Sequence, residues 1–192
     1  MKRLSLYLFL ILFTLQTPSL ADDIRDFQIE GISLGDSLLD YFSEEKINKS
    51  KRNYGYENKK FYAVGFENEN FFTVYDSLDI HLKPNDKNYI IYSISGINFF
   101  INDIHNCYKE KKDITSELTS LFNDLEKKEY KKTKTSFDKS STLESNYFFF
   151  KSGDYIKIQC YDWSEKITKE KNWSDHLRIA IAYKEFYEWK RE

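Results

Sequence analysis

Two of the three histidines lie beside an aspartate, the combination that an acid–base site needs. Asp79 and His81 are two residues apart in a run typical of a β-strand, so both side chains should point to one face. Asp175 and His176 are adjacent. A carboxylate can orient an imidazole as a general base, so either pair could serve a hydrolase. We expect both pairs to be solvated surface neighbours, which leaves the hydrolase as the third of three function hypotheses.

Other catalytic patterns are missing from the sequence. The histidines, His81, His105 and His176, include no close pair of the kind that binds a metal on one helix or strand. Residues 93–96 do not fit the G-x-S-x-G frame of a nucleophile elbow, and the glycines do not form a G-x-G-x-x-G loop. We therefore expect no catalytic residue, no metal site and no cofactor.

The two cysteines are predicted to form a disulfide. Cys107 lies on the apolar stripe of a predicted helix, and Cys160 shares a strand face with Ile156 and Ile158. Both should point into one helix–sheet interface, where a bond would close a loop of about 54 residues and contribute roughly 4 kcal/mol. Two buried free thiols are the alternative. A catalytic thiol is less favoured, because His105 points away from Cys107 on a helix.

Aromatic residues near loops are the remaining candidates for a binding patch. Trp163 and Trp173 flank the polar stretch 164–172, and Tyr54 and Tyr56 lie in an irregular polar segment. Rings with polar tips suit sugar or protein contacts. The alternative is that these rings belong to the core or reflect composition alone, and that the two indoles hold their loop closed.

The elements that must position these residues alternate in type. A helix from Asp36 should bury Leu38, Leu39 and Phe42, and a longer helix over 103–127 has a solvated part at 109–113. Strands are predicted at 60–66, 73–82, 89–97, 147–150, 155–162 and 176–189. The second and third strands should pair as a hairpin across the turn at 83–86. Residues 128–145, rich in Lys, Ser and Thr, should form a mobile loop.

This order predicts a single α+β domain over 22–192. It would contain an antiparallel sheet of about six strands with two helices packed on one face, in the order helix, three strands, helix, three strands. An internal duplication would give the same order, although the two halves share no residue pattern.

The first 21 residues have the three parts of a secretory signal peptide. A basic start, Met1 to Arg3, precedes an apolar run, and Ser19 and Ala21 stand at the small-residue cleavage positions. The run of roughly a dozen apolar residues is short for a membrane span, which needs about 20. We expect cleavage after Ala21 and a periplasmic or secreted protein with no membrane span. An uncleaved anchor is the alternative.

Charge gives no sign of a nucleic-acid partner. Without the two basic residues of the leader, 27 Lys and Arg stand against 31 Asp and Glu, a net charge of −4. Nucleic-acid binding calls for a clustered basic surface, so we expect none.

The start of the mature chain resembles known exported proteins. Residues 22–42, DDIRDFQIEGISLGDSLLDYF, resemble the mature start of small secreted proteins from AT-rich marine alphaproteobacteria. Within them, the stretch ISLGDSLL at 32–39 is similar to the entry of SmpA/OmlA and β-lactamase-inhibitor-like domains, in which a Gly-containing turn precedes a short helix and antiparallel strands. The resemblance implies a non-enzymatic periplasmic domain that works by protein contact, and no functional residue transfers. The chain lacks the lipid-bearing Cys of the outer-membrane assembly lipoproteins, since Cys107 is its first cysteine.

The leading functional prediction is thus a secreted, non-enzymatic domain that binds a protein or an envelope component. The second is a small-molecule binder in which a sheet face and the 128–145 loop cover a pocket.

Overall fold

The computed structural model describes residues 23–56, 59–135 and 138–191, and the predicted leader lies outside them. The described residues form an α+β fold with an eight-stranded antiparallel sheet, a two-stranded sheet and four α-helices. The predicted class is therefore confirmed, whereas the prediction of about six strands is wrong.

The two sheets are built from ten strands. They are β1 (Gln28–Ile29), β2 (Ile32–Ser33), β3 (Lys51–Arg52), β4 (Tyr62–Glu67), β5 (Ser77–Leu82), β6 (Ile91–Phe99), β7 (Glu126–Lys134), β8 (Thr142–Phe149), β9 (Tyr155–Asp162) and β10 (His176–Ala182). The α-helices are α1 (Glu44–Lys49), α2 (Ile104–Leu121), α3 (Glu165–Lys171) and α4 (Lys184–Trp189). Two short 3-10 helices, Ile24–Asp26 and Leu38–Asp40, precede α1.

The large sheet consists of two four-stranded meanders joined side by side. Its strand order is β3-β4-β5-β6-β10-β9-β8-β7, so the last strand of each meander meets at the centre. There β6 and β10 run antiparallel, with Ser95 opposite Ala180. We call this β6–β10 junction the central seam. The predicted hairpin of β5 and β6 is confirmed.

One face of the sheet carries the main core. Alternating apolar residues of β9 and β10 pack with the apolar stripe of α2, which includes Cys107, Ile114 and Leu118. The N-terminal segment covers the same face, and the rings of Phe27 and Phe122 lie 5.3 Å apart. Burial of this apolar surface is the main driving force for the fold.

The predicted disulfide is present in this core. Cys107 of α2 and Cys160 of β9 are bonded, with their Cα atoms 6.0 Å apart, and both side chains are fully buried. The apolar stripe of α2 and the apolar face of β9 therefore pack against each other, as predicted.

The prediction of a mobile loop over 128–145 is wrong. Most of this segment forms β7 and the start of β8, which pair antiparallel. Every residue of β7 is exposed because it is the edge strand of the sheet and has solvent on both faces. A strand in this position needs no apolar alternation, which is why its composition resembles that of a loop.

Helix positions also differ from prediction. The long helix ends at Leu121 instead of residue 127, and residues 184–189 of the predicted last strand form α4. The stretch 164–172, predicted as a loop, contains α3, which Ser164 caps by accepting a hydrogen bond from the backbone of Ile167. The helices pack on both faces of the sheet, because α4 lies opposite α2.

The predicted helix at Asp36 is a single 3-10 turn. Its N-cap is Ser37, and Leu39 is exposed while Leu38 is buried. The carboxylate of Asp36 instead accepts hydrogen bonds from the backbone of Ser33 and the hydroxyl of Tyr41, so it closes the preceding turn.

Candidate functional site

The face of the sheet opposite α2 is polar at its centre. Strand alternation places on it every second residue of the four central strands. The polar members of this set include Asp79 and His81 of β5, Ser93 and Ser95 of β6, Lys157, Gln159 and Tyr161 of β9, and His176 and Arg178 of β10. The structure thus brings together ionisable groups from both sides of the central seam.

A pocket with a volume of about 260 Å³ opens on this face. Its aromatic walls are Tyr56, Tyr147, Tyr155, Tyr161, Phe186 and Tyr187. Its polar walls include His81, Ser93, Ser95, Lys157, Arg178 and Lys190. Small-molecule sites combine apolar walls with a few convergent polar groups, as this pocket does.

The small side chain of Ala180 makes room for the pocket. Ala180 stands between Ser95 on one neighbouring strand and Lys157 on the other. A larger residue at this position would fill the space above the central seam, so the cavity follows directly from the register.

A short loop that contains Tyr54 and Tyr56 supplies one wall, through Tyr56. Asn53 shapes it by accepting a hydrogen bond from the backbone of Gly55, whose φ of +66° glycine adopts without strain. Both tyrosines then point at β5. Tyr54 donates to Asp79 Oδ2 at 2.7 Å, and the Tyr56 hydroxyl lies 2.9 Å from His81 Nε2 in a hydrogen bond.

Helix α4 supplies the opposite wall. Phe186 and Trp189 pack with Phe61 in a second apolar cluster on this face of the sheet. The backbone N–H of Lys184, the first residue of α4, donates a hydrogen bond to Asp154 Oδ1 at 2.7 Å. At the end of α4, Lys190 lies over the Tyr56 ring at 4.5 Å and so connects the two walls.

The carboxylate on this face of β5 is not among the residues that line the pocket, and it is already paired. Asp79 is 2 % exposed and accepts a hydrogen bond from Arg178 Nη2 at 2.7 Å. Burial alone would raise the pKa of Asp79, but Arg178, His81 and the hydrogen bond from Tyr54 together outweigh it, and the pKa is lowered. Arg178 Nε is buried and has no hydrogen-bond partner among the described residues, so this cation keeps one free donor.

The histidine at the pocket wall is held neutral. Burial lowers the pKa of His81 to about 3, and nearby Arg178 lowers it further against the opposing effect of Asp79. Its Nδ1 atom is buried without a hydrogen-bond partner among the described residues. Since His81 carries no positive charge at neutral pH, it offers the pocket a polar atom only.

Two lysines add positive charge. Lys157 is half-buried and has no carboxylate within 4.0 Å of its amine among residues 23–56, 59–135 and 138–191. Its amine lies over the Tyr147 ring, 6.0 Å from the centroid. Burial lowers the pKa of Lys157 to about 7, with smaller contributions from Arg178 and Lys190. Burial likewise lowers the pKa of Lys190.

Neither predicted acid–base pair forms a hydrogen-bonded dyad. Asp79 and His81, expected on the surface, are buried, and their described hydrogen bonds go to other residues. Asp175 accepts from the backbone of Trp163, while His176 Nδ1 donates to the carbonyl of Ser174. The expectation of solvated side chains is wrong for Asp79, His81 and His176, which are buried on the polar side of a covered sheet. Asp175, just before β10, is half-buried.

The four predicted patch residues share this face but form two separate pairs. The rings of Tyr54 and Tyr56 lie 5.8 Å apart and belong to the pocket loop. Those of Trp163 and Trp173 lie 4.8 Å apart at the two ends of α3, and Trp163 is buried. The indoles thus hold the α3 segment against the sheet. Tyr161 stacks on Trp163 and connects this pair to the pocket.

Sequence reasoning missed Lys157 and Arg178. A signal was present, since both alternate with the apolar residues that were assigned to the core face of β9 and β10. A charged residue at a half-buried strand position is unusual unless it has a partner or a ligand.

The described part of the chain shows neither a metal-binding cluster nor a membrane-spanning helix. It contains no cluster of three or more His, Cys, Asp or Glu side chains that could hold a metal ion. None of its helices combines the length and the apolar character that crossing a membrane requires.

Comparisons with known proteins add no assignment. No protein-family model matches the chain, and no curated protein or solved structure is significantly similar to it. The resemblance of residues 22–42 to exported proteins therefore stays a prediction, and the function must be argued from the pocket.

Proposed function

We propose that the protein is a binding domain for a small organic anion, which occupies the pocket above the central seam. The observation that carries this proposal is the surplus of positive charge. The described lining contains four basic side chains, those of Lys157, Arg178, Lys190 and Arg191, and no carboxylate. The Asp79 carboxylate pairs with Arg178. Ionised donors favour carboxylate or phosphate ligands, and Arg is suited to planar ones.

The walls support an organic ligand over a bare inorganic ion. Tyrosine and phenylalanine rings surround the cations, so a ligand with an apolar or ring-shaped body would bury that body between them. The volume of about 260 Å³ lies just below the usual range for drug-sized ligands, which favours a small metabolite.

A calorimetric titration tests the proposal. We would titrate the purified protein with benzoate, succinate and glycolate at pH 6.5, and again with Lys157→Met. Removal of a charge-assisted contact should weaken the anion that binds by roughly ten-fold or more. Lys169→Met is the matched control, because Lys169 lies exposed on α3. Equal affinity in Lys157→Met, or no binding by any acid of the panel, would contradict the proposal.

Export to an oxidising compartment is a second part of the proposal. The Cys107–Cys160 disulfide supports it, because structural disulfides persist mainly outside the cytoplasm. Expression of the full chain in a bacterial host, followed by N-terminal sequencing of the periplasmic fraction, tests it. A chain that begins at Asp22 is expected. An unprocessed chain confined to the cytoplasm would contradict it.

Protein binding is the other candidate function, and two exposed side chains favour it. Phe99 at the end of β6 and nearby Ile101 are 42 % and 69 % exposed. Exposed apolar residues that lie together are typical of a protein-contact surface. Cross-linking to envelope proteins of the host that is lost in Ile101→Asp, but kept in Lys169→Asp, would support this function. Cross-linking that is equal in both variants would count against it.

A further inference from the structure

The amine of Lys157 occupies an unusual position for a lysine. It lies on a central strand, beside Ala180 on one side and Tyr147 on the other, so small and aromatic neighbours surround it. The pocket gives it an open space of about 260 Å³ in front. A lysine that serves stability alone is normally extended into water or paired with a carboxylate.

The groups that face Lys157 come from every element around the pocket. Arg178 of β10 is a cation, as are Lys190 and Arg191 after α4. Asp79 of β5 is engaged by Arg178. The neutral His81 and several tyrosines complete the surroundings. Neighbouring cations and apolar walls favour the neutral amine, and a pKa of about 7 is in line with this. A desolvated lysine next to another cation is a recognised form of activated nucleophile.

We propose that Lys157 captures the carbonyl carbon of a small oxo acid as an imine, while Arg178 and Lys190 attract the carboxylate of the same molecule. This inference rests on the proposed function and adds to it a covalent step and a ligand class. Besides the neutral nucleophile, the pocket offers the cations of Arg178, Lys190 and Arg191. An oxo acid carries the matching electrophile and anion.

The step needs no oxidant, reductant or cofactor. The lone pair of Nζ forms a bond to the carbonyl carbon as the C=O π pair moves to oxygen, and that oxygen takes up a proton from the nitrogen. The carbinolamine then loses its hydroxyl group with the remaining N–H proton as water, and the C=N bond forms. One water molecule is released, and hydrolysis reverses the reaction.

Reductive trapping with glyoxylate tests the inference. The oxidised, processed protein is incubated at pH 7 with glyoxylate, which forms the imine, and with cyanoborohydride, which reduces it to a stable carboxymethyl-lysine. The modified residues are then mapped by peptide mass spectrometry. At pH 7 an amine with a pKa of 7 is neutral on the order of 1,000 times more often than an ordinary lysine. We expect Lys157 to be modified roughly ten-fold or more faster than exposed Lys169.

Two further arms separate the inference from the proposed function. Glycolate has the same carboxylate without the carbonyl group, so its titration reports anion binding alone. Lys157→Arg should lose the preferred adduct, and Lys169→Arg should keep it. If Lys157→Arg fails to fold, the comparison of adducts at Lys157 and Lys169 in the unsubstituted protein still tests the inference.

The outcomes are distinct. A preferred adduct at Lys157 supports the inference. Glycolate binding with glyoxylate adducts spread evenly over surface lysines would overturn the covalent step and leave the anion pocket intact. No anion binding together with no preferred adduct would overturn both.

Discussion

Arg178 reaches across a whole strand to pair with Asp79. Its guanidinium, on β10, donates to the carboxylate on β5 at 2.7 Å, and β6 lies between them. The two residues are 99 positions apart in the chain. This contact joins the two meanders on the polar face. It leaves Lys157, Lys190 and Arg191 as the cations without a matching carboxylate in the described pocket.

Removal of the carboxylate alone should be costly. In Asp79→Asn the Arg178 charge stays buried without its counterion, so we expect the free energy of unfolding to fall by about 3 kcal/mol. Urea denaturation measures it. Glu165→Gln on α3, which breaks an exposed ion pair with Lys169, should change it by less than about 0.5 kcal/mol. A loss below about 1 kcal/mol in Asp79→Asn would show that the pair does little for the fold.

Two buried histidines should make the protein acid-sensitive. Burial lowers the pKa of His81 to about 3 and that of His176 to about 4, against about 6.5 in an unfolded chain. The unfolded state therefore binds more protons between pH 6.5 and pH 4, and stability falls as the pH drops through this window. At pH 5 each histidine should cost about 2 kcal/mol relative to pH 7.5.

Denaturation curves of His81→Gln at pH 5 and pH 7.5 check this effect. The difference between the two pH values should shrink by about 2 kcal/mol relative to the unsubstituted protein. His105→Gln is the control, because His105 lies exposed on α2 and its loss should leave the difference unchanged. An unchanged difference in His81→Gln would mean that the imidazole is not held neutral.

Loss of the disulfide should destabilise the fold strongly. Cys107→Ala with Cys160→Ala removes the constraint on a loop of about 54 residues in the unfolded chain, so we expect a loss of roughly 4 kcal/mol. Thermal unfolding followed by circular dichroism measures it. Dithiothreitol should lower the melting temperature of the parent protein and not that of the double variant. An equal effect on both would argue against the bond.

A buried lysine on α2 should prove structural. Residues 109–113 were expected to be solvated, but Lys111 is 5 % exposed, and its amine donates to Asn146 Oδ1 at 2.8 Å and lies 3.4 Å from Glu144. Lys111→Met leaves both acceptors unmet and should cost about 1–3 kcal/mol of unfolding free energy. Lys112→Met, at an exposed position, should cost less than about 0.5 kcal/mol.

Anion affinity should fall as the solution becomes alkaline. Lys157 has a pKa lowered to about 7, so its positive charge is present below pH 7 and absent well above it. Binding of a non-carbonyl acid should weaken by roughly ten-fold between pH 6 and pH 8.5. In Lys157→Met the affinity should already be low and should change little with pH. A steep pH dependence in that variant would assign the titration to Lys190 or another group.

Local patterns in the sequence predicted part of this fold. The alternation in β9 and the stripe of α2 are visible because each element has one apolar and one polar face, and together they located the disulfide. The edge strand β7 was missed because solvent covers both of its faces and only pairing with β8 holds it. The exposed part of a sheet leaves little trace in hydrophobic periodicity.

The pocket could not be predicted in the same way. Asp79, Lys157 and Arg178 meet only because β10 inserts between β6 and β9, and that order depends on how two meanders join. Tyr54 and Tyr56 were singled out correctly as loop aromatics, yet nothing near them in the chain indicates that their hydroxyls bond to Asp79 and His81. Such contacts depend on tertiary topology.

The disulfide does not link the two meanders to each other covalently. Both cysteines lie after β6, so the covalent bond ties together only the second meander, and a cut between residues 99 and 104 would leave two pieces with no covalent link. The two halves are then held together by the β6–β10 ladder and by side-chain contacts such as that of Phe27 with Phe122. The pocket takes walls from both halves, so an occupant would act as a clamp and stabilise the association itself.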